Sequence, residues 1–204
     1  MFTPSFTELD ILREVANIGA GNAATALSEL LGAKVRMRIP DVRIVPFHRL
    51  SESVGGTEAA VMAVYFRLQG DFSGSLYVMM KEEAAHQLLD CLLGQTVRQE
   101  SFSSMDCSAL AEVGNIVAGT YLSALSDFTG LRLFPSVPYL TFDMAGAVLS
   151  IGVAEIGVSA DEALMIETEI SANDVSANTH VLMLPQPDNL PVLFRVLGVS
   201  CHGH

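Results

Sequence analysis

Glu14-Val-Ala-Asn17-Ile-Gly-Ala-Gly21 runs on to Ala26-Leu27-Ser28-Glu29, and the chain then writes the phrase a second time. The second copy is Glu112-Val-Gly-Asn115-Ile-Val-Ala-Gly119, running on to Ala124-Leu125-Ser126-Asp127. The offset is constant at 98 (112 − 14 and 115 − 17), and it carries Asp10 onto Ser108, Gly32 onto Gly130 and Pro40 onto Pro138. A repeat kept only for a core would need apolar periodicity alone. This one keeps a Glu and an Asn, residue types that rarely fill cores. One copy would pass for ordinary solvated helix surface. Two copies in register point to a working surface built twice.

The spacing sets the geometry. Positions 10, 14, 17, 21, 24 and 28 step by four and three, so they line one stripe of a helix. The stripe reads Asp10, Glu14, Asn17, Gly21, Ala24, Ser28 in the first copy and Ser108, Glu112, Asn115, Gly119, Leu122, Ser126 in the second. Leu12, Val15, Leu27 and Leu30 lie on other faces and are expected in the core. Glycine costs about 1 kcal/mol against alanine inside a helix. Gly21 and Gly119 therefore imply close approach, by a partner or by a packed neighbour.

Outward from these stripes the chain reads as two similar halves. Glu8 to Leu31 is expected as one helix, with Thr7 as N-cap and Gly32 as its stop. Val35 to Ile39 alternates as a strand ending at Pro40, and Val42 to Val45 extends it. Val61 to Leu68 and Gly74 to Met80 flank Gln69-Gly-Asp71 as a hairpin. Glu82 to Leu93 is a helix with acids in its first turn and Gly94 behind it. The polar, Ser-rich segment Gln95 to Met105 is expected to join the halves. Cys107 to Thr129 is the second long helix, stopped by Gly130, and Leu131 to Val137 is extended. Ala147 to Val153, Ala163 to Ile170 and His180 to Leu184 are expected as strands, and Asn189 to Leu197 as a helix with Pro191 near its start. Leu88-Leu-Asp-Cys-Leu-Leu-Gly94 and Val192-Leu-Phe-Arg-Val-Leu-Gly198 are also alike. The fold class is therefore α+β: a pseudo-two-fold duplicated domain with long helices packed on a shared, largely antiparallel sheet. The whole of 1–204 is expected to be one domain made of repeats at about 1–99 and 100–204.

Composition narrows the function. The 204 residues carry 23 acids against 11 bases, a net charge of −12. A nucleic-acid binder needs a basic footprint, so nucleic acid is excluded as a partner. Mean hydropathy is high at +0.40, yet the longest apolar run, Met144 to Ala154, is too short to span a bilayer and reads as a buried strand. No membrane insertion and no secretory leader are expected. Cys91, Cys107 and Cys201 are odd in number and form no CxxC pair, which fits free thiols in a reducing cytoplasm. The ending Cys201-His-Gly-His204 reads as a frayed terminus rather than a metal site. His48, His86 and His180 are scattered and read as surface or satisfied core. No metal-ligand cluster and no Gly-x-Ser-x-Gly turn are present. Gly19-Ala-Gly-Asn-Ala-Ala24 fits a dinucleotide fingerprint, but a helical pattern precedes it where a strand is required, and Val117 replaces Gly19 in the second copy.

The stripe itself has usable chemistry. Asn is a poor base, but its carboxamide offers one acceptor and two donors and can aim a water. That suits an electrophile that is already activated, as Gln does in GTP hydrolysis. The Glu one turn earlier can pair with a partner's Lys. The remainder of a hydrolytic site would come from another molecule.

At these residues the chain resembles the CheC/CheX/FliY family of chemotaxis phosphatases, and its two-site members above all. The family pattern is Asp or Ser, three residues, Glu, two residues, Asn, 22 residues, Pro. Asp10, Glu14, Asn17 and Pro40 match it, and Ser108, Glu112, Asn115 and Pro138 match it again. Ala16 stands where the second copy has Gly114, the residue expected in both. The resemblance implies dephosphorylation of the phosphorylated response regulator CheY, which carries an acyl phosphate on an Asp and supplies the Mg²⁺. Asn17 and Asn115 would orient the in-line water, and Glu14 and Glu112 would dock to the regulator's Lys. Asp10 and Ser108 would support the surface, and Pro40 and Pro138 would shape a turn. The receptor deamidase CheD is implied as a second partner. The chain is expected to act as a cytoplasmic monomer. The rival reading is a binding module that grips a regulator or CheD with little turnover.

Overall fold

The structure is a computed structural model that describes residues 6–93, 101–156, 162–172, 175–186 and 189–200. Gly94, most of the joint after Gln95 and the Cys201–His204 ending lie outside the described residues. In the first repeat, helix α1 (Phe6–Leu31) leads to strand β1 (Val35–Pro46), a 3-10 turn at Phe47–Arg49 and the one-turn helix α2 (Leu50–Ser53). The hairpin β2 (Ala60–Gly70) and β3 (Gly74–Lys81) follows, then α3 (Glu82–Leu93). The second repeat runs α4 (Ser104–Thr129), β4 (Leu133–Pro135), β5 (Tyr139–Met144), α5 (Ala145–Ile156), β6 (Glu162–Ala172), β7 (Val175–Pro185) and α6 (Asn189–Ser200).

The seven strands of the described residues form one antiparallel sheet in the order β1-β6-β7-β3-β2-β4, with β5 also pairing β2. A pseudo-two-fold axis lies between β7 and β3. The edge strands are exchanged: β1 pairs with β6 of the other repeat, and β4 and β5 pair with β2. The register obeys the repeat. Val42 stands opposite Ile166 as Leu140 stands opposite Val64, and Met37 opposite Ile170 as Pro135 opposite Leu68.

Pro40 does not end its strand. β1 runs through it with a register shift between Arg38 and Asp41. In the second repeat the matching place is the gap between β4 and β5, which holds Pro138. Proline has no N–H to donate to a ladder, so a one-residue bulge falls there in both copies.

The expected helices α1, α3 and α4 are present, α3 with the expected bounds and the two long helices with earlier starts. Helix α1 begins at Phe6, so Thr7 lies inside it rather than capping it. Helix α4 begins three residues before Cys107. The Ser103 hydroxyl accepts from the Asp106 N–H at 3.2 Å, while the Asp106 carboxylate accepts from the Ser103 N–H at 2.8 Å. This capping box satisfies two donors at the helix start. Gly32 and Gly130 end the long helices in the left-handed region, at φ 58° and 73°.

The stretch from Ala147 to Val153, expected as a strand, is the body of α5. Ala145, Val148 and Leu149 are buried while Ser150 and Ile151 are exposed, a period of three to four. An almost wholly apolar run lacks the polar face that would have revealed that period.

One core lies between the sheet and α1, α3, α4 and α6; a smaller one lies on the other face beneath α2 and α5. Leu12, Val15 and Leu27 enter the larger core, but Leu30 is exposed. Two glycines let the long helices sit close. A Cβ on Gly114 would come within 2.6 Å of Val64 on β2, and one on Gly19 within 2.7 Å of the Tyr121 ring on α4. The repeat carries Gly19 onto Val117 and Tyr121 onto Ala23, so a small–large pairing in one copy faces a medium–small pairing in the other. The Tyr121 hydroxyl lies 3.1 Å from Thr168 Oγ1, and burial pushes its pKa up to about 12.

Candidate functional site

Helices α1 and α4 pack against each other above the sheet, and the outer face of each carries one copy of the stripe. Asp10, Glu14 and Asn17 are exposed on α1, and Ser108, Glu112 and Asn115 are exposed on α4. Neither Asn is turned into the core. A Cβ on Gly21 or Gly119 would meet nothing within 4 Å. Packing inside the chain therefore does not explain these two glycines, and they leave the helix backbone bare beside each Asn. Further along, the two stripes part. Ala24 is half-buried, while Leu122, its counterpart, is buried and belongs to the core.

The lower end of the first stripe is tied to the sheet. Ser28 Oγ donates to the Ala24 carbonyl at 2.6 Å and accepts the Val35 N–H at 2.9 Å. This joins the end of α1 to the start of β1, so the helix is held at its C-terminal turn while its N-terminal half projects the polar groups.

The two copies differ at their borders. Beside the first, Arg13 reaches Asp41 on β1 at 3.5 Å and lies 3.9 Å from Asp10. Asp41 is also paired with Arg43, and Arg43 reaches Glu167 on β6 at 2.7 Å. The repeat replaces Arg13 by Ala111, Asp41 by Tyr139 and Arg43 by Thr141. The edge beside the second copy is apolar and bare: Val137 is 86% exposed, Met105 64%, Tyr139 59% and Phe142 44%. Phe142 meets Phe102 edge-on at 5.4 Å, and Phe102 stacks on His86 at 4.6 Å. Pro40 is exposed and Pro138 half-buried, each at its bulge close to the sheet edge.

The borders are residues that reading the sequence did not single out. The only signal for them was that the repeat keeps Glu and Asn and discards Arg13. Among the described residues no group of three or more His, Cys, Asp or Glu is placed to hold a metal. Likewise, no described helix is long and apolar enough to cross a membrane.

The profile of the CheC-like family matches residues 8–44 and 105–141, two windows that contain Asp10 to Pro40 and Ser108 to Pro138. The chain is 38% identical over 198 residues to the CheY-P phosphatase CheC of Bacillus subtilis (strain 168), covering 95% of each chain. It is 28% identical over 133 residues to the flagellar motor switch phosphatase FliY of the same organism, covering 64% of this chain and 34% of that one. The crystal structure of Thermotoga maritima FliY superposes with a TM-score of 0.79 at 17% identity, covering 98% of this chain and 100% of that one, which shows a shared fold.

Proposed function

We propose, from the premise that this chain belongs to the CheC-like family, that it is a phosphatase for the aspartyl phosphate of a CheY-type response regulator. The observation that carries this reading is the pair of exposed Glu–Asn surfaces, each on a rigid helix whose backbone is left bare by a glycine one turn further on.

In this reading the Asn17 or Asn115 carboxamide enters the regulator's active centre beside the phosphorylated Asp. Its oxygen accepts a hydrogen bond from a water and its nitrogen donates toward the phosphoryl oxygens. The water oxygen attacks phosphorus opposite the aspartyl oxygen. The acyl-phosphate bond breaks, the Asp leaves as a carboxylate, and the water's proton passes to the phosphate product and solvent. Aiming the water is most of the task, because an acyl phosphate is already activated. Glu14 and Glu112 pair with a Lys of the regulator and fix the docking. Mg²⁺ belongs to the regulator. Asp10 and Ser108 support the surface, and Pro40 and Pro138 shape the edge strands. CheD is a second expected partner, to which no residue is assigned.

Decay of the phosphorylated regulator tests this with wild type, Asn17→Ala, Asn115→Ala and the double variant. Each single variant should keep one working surface. The double variant should lose stimulation by on the order of 10²-fold. A double variant as active as wild type overturns the catalytic reading. Retained binding with no turnover in any form would favour a binding module.

A further inference from the structure

Between Glu14 and Gly21 six positions are identical in the two copies: Glu14, Val15, Asn17, Ile18, Ala20 and Gly21 each meet the same residue 98 places on. Five of them have a stated reason. Val15 and Ala20 are buried in the larger core, as are Val113 and Ala118. Glu14, Asn17 and Gly21 belong to the exposed stripe. Ile18 has neither reason. It is a large apolar side chain, and it is 49% exposed. Isoleucine also ranks below alanine and leucine as a helix former, because its branched Cβ loses rotamer freedom. Neither burial nor helix propensity therefore calls for it here. A scattered exposed apolar residue needs no explanation. This one recurs in register beside both Asn residues.

Helix geometry gives it a place. Residues three and four apart are neighbours on a helix surface. Ile18 is four after Glu14 and three before Gly21, while Asn17 is three after Glu14 and four before Gly21. The four residues form a diamond on α1, with Glu14 and Gly21 at its ends and Asn17 and Ile18 on its flanks. Glu112, Asn115, Ile116 and Gly119 form the same diamond on α4. Glycine has no side chain, so the carboxamide and the branched alkyl group flank bare backbone as two walls of a notch, one polar and one apolar. A Cβ on either glycine would meet nothing within 4 Å, so the notch is open to a visitor. An isoleucine in a helix holds one strongly preferred χ1, which makes its wall stiff and its burial by a partner cheap in entropy.

Aiming a water requires that competing waters be kept away. A carboxamide on an open helix is hydrated on every side. An apolar wall beside it, covered by a docked partner, removes waters that would exchange with the aimed one. It also lowers the local dielectric, which strengthens the hydrogen bonds of the Asn and the ion pair of the Glu.

We propose that Ile18 and Ile116 are positioning residues: each presses against an apolar part of the regulator beside the phosphorylated Asp and shuts out all but the attacking water. The role of the water rests on the phosphatase reading above; the contact itself does not. Ile18 gives the cleaner test, because Ile116 is half-buried against the core.

The parent for the test is the full chain with Asn115→Ala, in which only the first surface works. Ile18→Ser should lower the maximal rate of regulator dephosphorylation by about tenfold, while the regulator concentration giving half-maximal rate rises by less than about threefold. Ile18→Val keeps a branched apolar wall and should keep at least about half the rate. Both variants should melt with the parent, since the side chain is exposed. The Ile18 δ1 methyl resonance, assigned with Ile18→Val, reports the contact independently of turnover. It should shift saturably with a CheY-type regulator carrying Mg²⁺ and beryllofluoride, a mimic of the phosphorylated Asp, and at least about tenfold more weakly with the unloaded regulator. A parent that speeds decay equally well with Ile18→Ser overturns the proposal and leaves the phosphatase reading standing. A parent whose methyl responds but which does not speed decay overturns the phosphatase reading, and the positioning role with it. A methyl indifferent to the loaded regulator overturns the proposal whatever the rates.

Discussion

On α1, the Glu14–Asn17 surface ends against Arg13, Asp41 and Arg43; on α4, the Glu112–Asn115 surface ends against Ala111, Tyr139 and Val137. The centres match residue for residue while one border is an ion-pair chain and the other is bare apolar surface. Duplication kept the groups that would do chemistry and let the groups that would choose a partner drift. The reason is geometric. The Glu and Asn are fixed by helix periodicity within one element, whereas each border comes from an edge strand whose outer side faces solvent and constrains little.

The largest effect should come from the glycines. Gly114→Ala pushes a methyl group against Val64, with an expected loss of about 1–3 kcal/mol in chemical denaturation. Gly119→Ala sits in open space and should gain up to about 1 kcal/mol. It should also slow hydrolysis measured in an Asn17→Ala background, where only the second surface works. If it raised stability and left the rate untouched, close approach by the regulator at that glycine would be wrong.

Next comes the apolar border. Tyr139→Asp should weaken the second surface by about tenfold, read as the regulator concentration giving half-maximal rate in the Asn17→Ala background. The same change in the Asn115→Ala background should do nothing. Equal loss in both would mean that the two surfaces are not independent.

Smaller, and opposite in kind, is the response to salt. The charged border around Arg13 should make the first surface lose rate as ionic strength rises, by a few-fold, and Arg13→Ala should remove that slope. The second surface should respond weakly. Matching salt slopes from the two single-Asn variants would erase the distinction.

The smallest effects concern pH and stability. His180 titrates lower in the fold than in the unfolded chain because it is buried. The unfolded state therefore binds more protons as the pH falls below the ordinary imidazole value of 6.5, and stability should decline there while being fully present above it. His180→Gln should flatten that decline in urea midpoints. Asp71 behaves differently. Hydrogen bonds from Arg132, at 2.9 and 3.0 Å, hold its pKa down to about 2, so its contribution is fully present above the ordinary value of 3.8 and is lost as the pH falls from there through about 2. Asp71 and Arg132 are both exposed, and Asp71→Asn should change stability at neutral pH only slightly.

Much of the architecture was legible before any coordinates. The long helices were readable because Gly32 and Gly130 punctuate them, and the β2–β3 hairpin because Gln69-Gly-Asp71 interrupts two apolar runs. Helix α5 was not, since its residues are apolar on nearly every side and a buried helix then looks like a buried strand. Strand β5 escaped for a different reason: Tyr139, Phe142 and Met144 are exposed on an edge, so they show no clean alternation of apolar and polar residues. The Thr7 cap failed because helix ends are set by local hydrogen bonds that shift by a residue or two.

From residue order alone came the duplication, the exposed Glu–Asn stripes and the α+β class, because helix period and turn chemistry act over a few neighbours. Only the folded chain revealed that the repeats exchange edge strands and that Arg13 joins a chain of charges reaching Glu167. The exchanged edge strands join residues from 63 positions apart (Gly70 and Leu133) to 137 (Val35 and Ala172), and nothing local in a sequence records which distant strand will lie alongside.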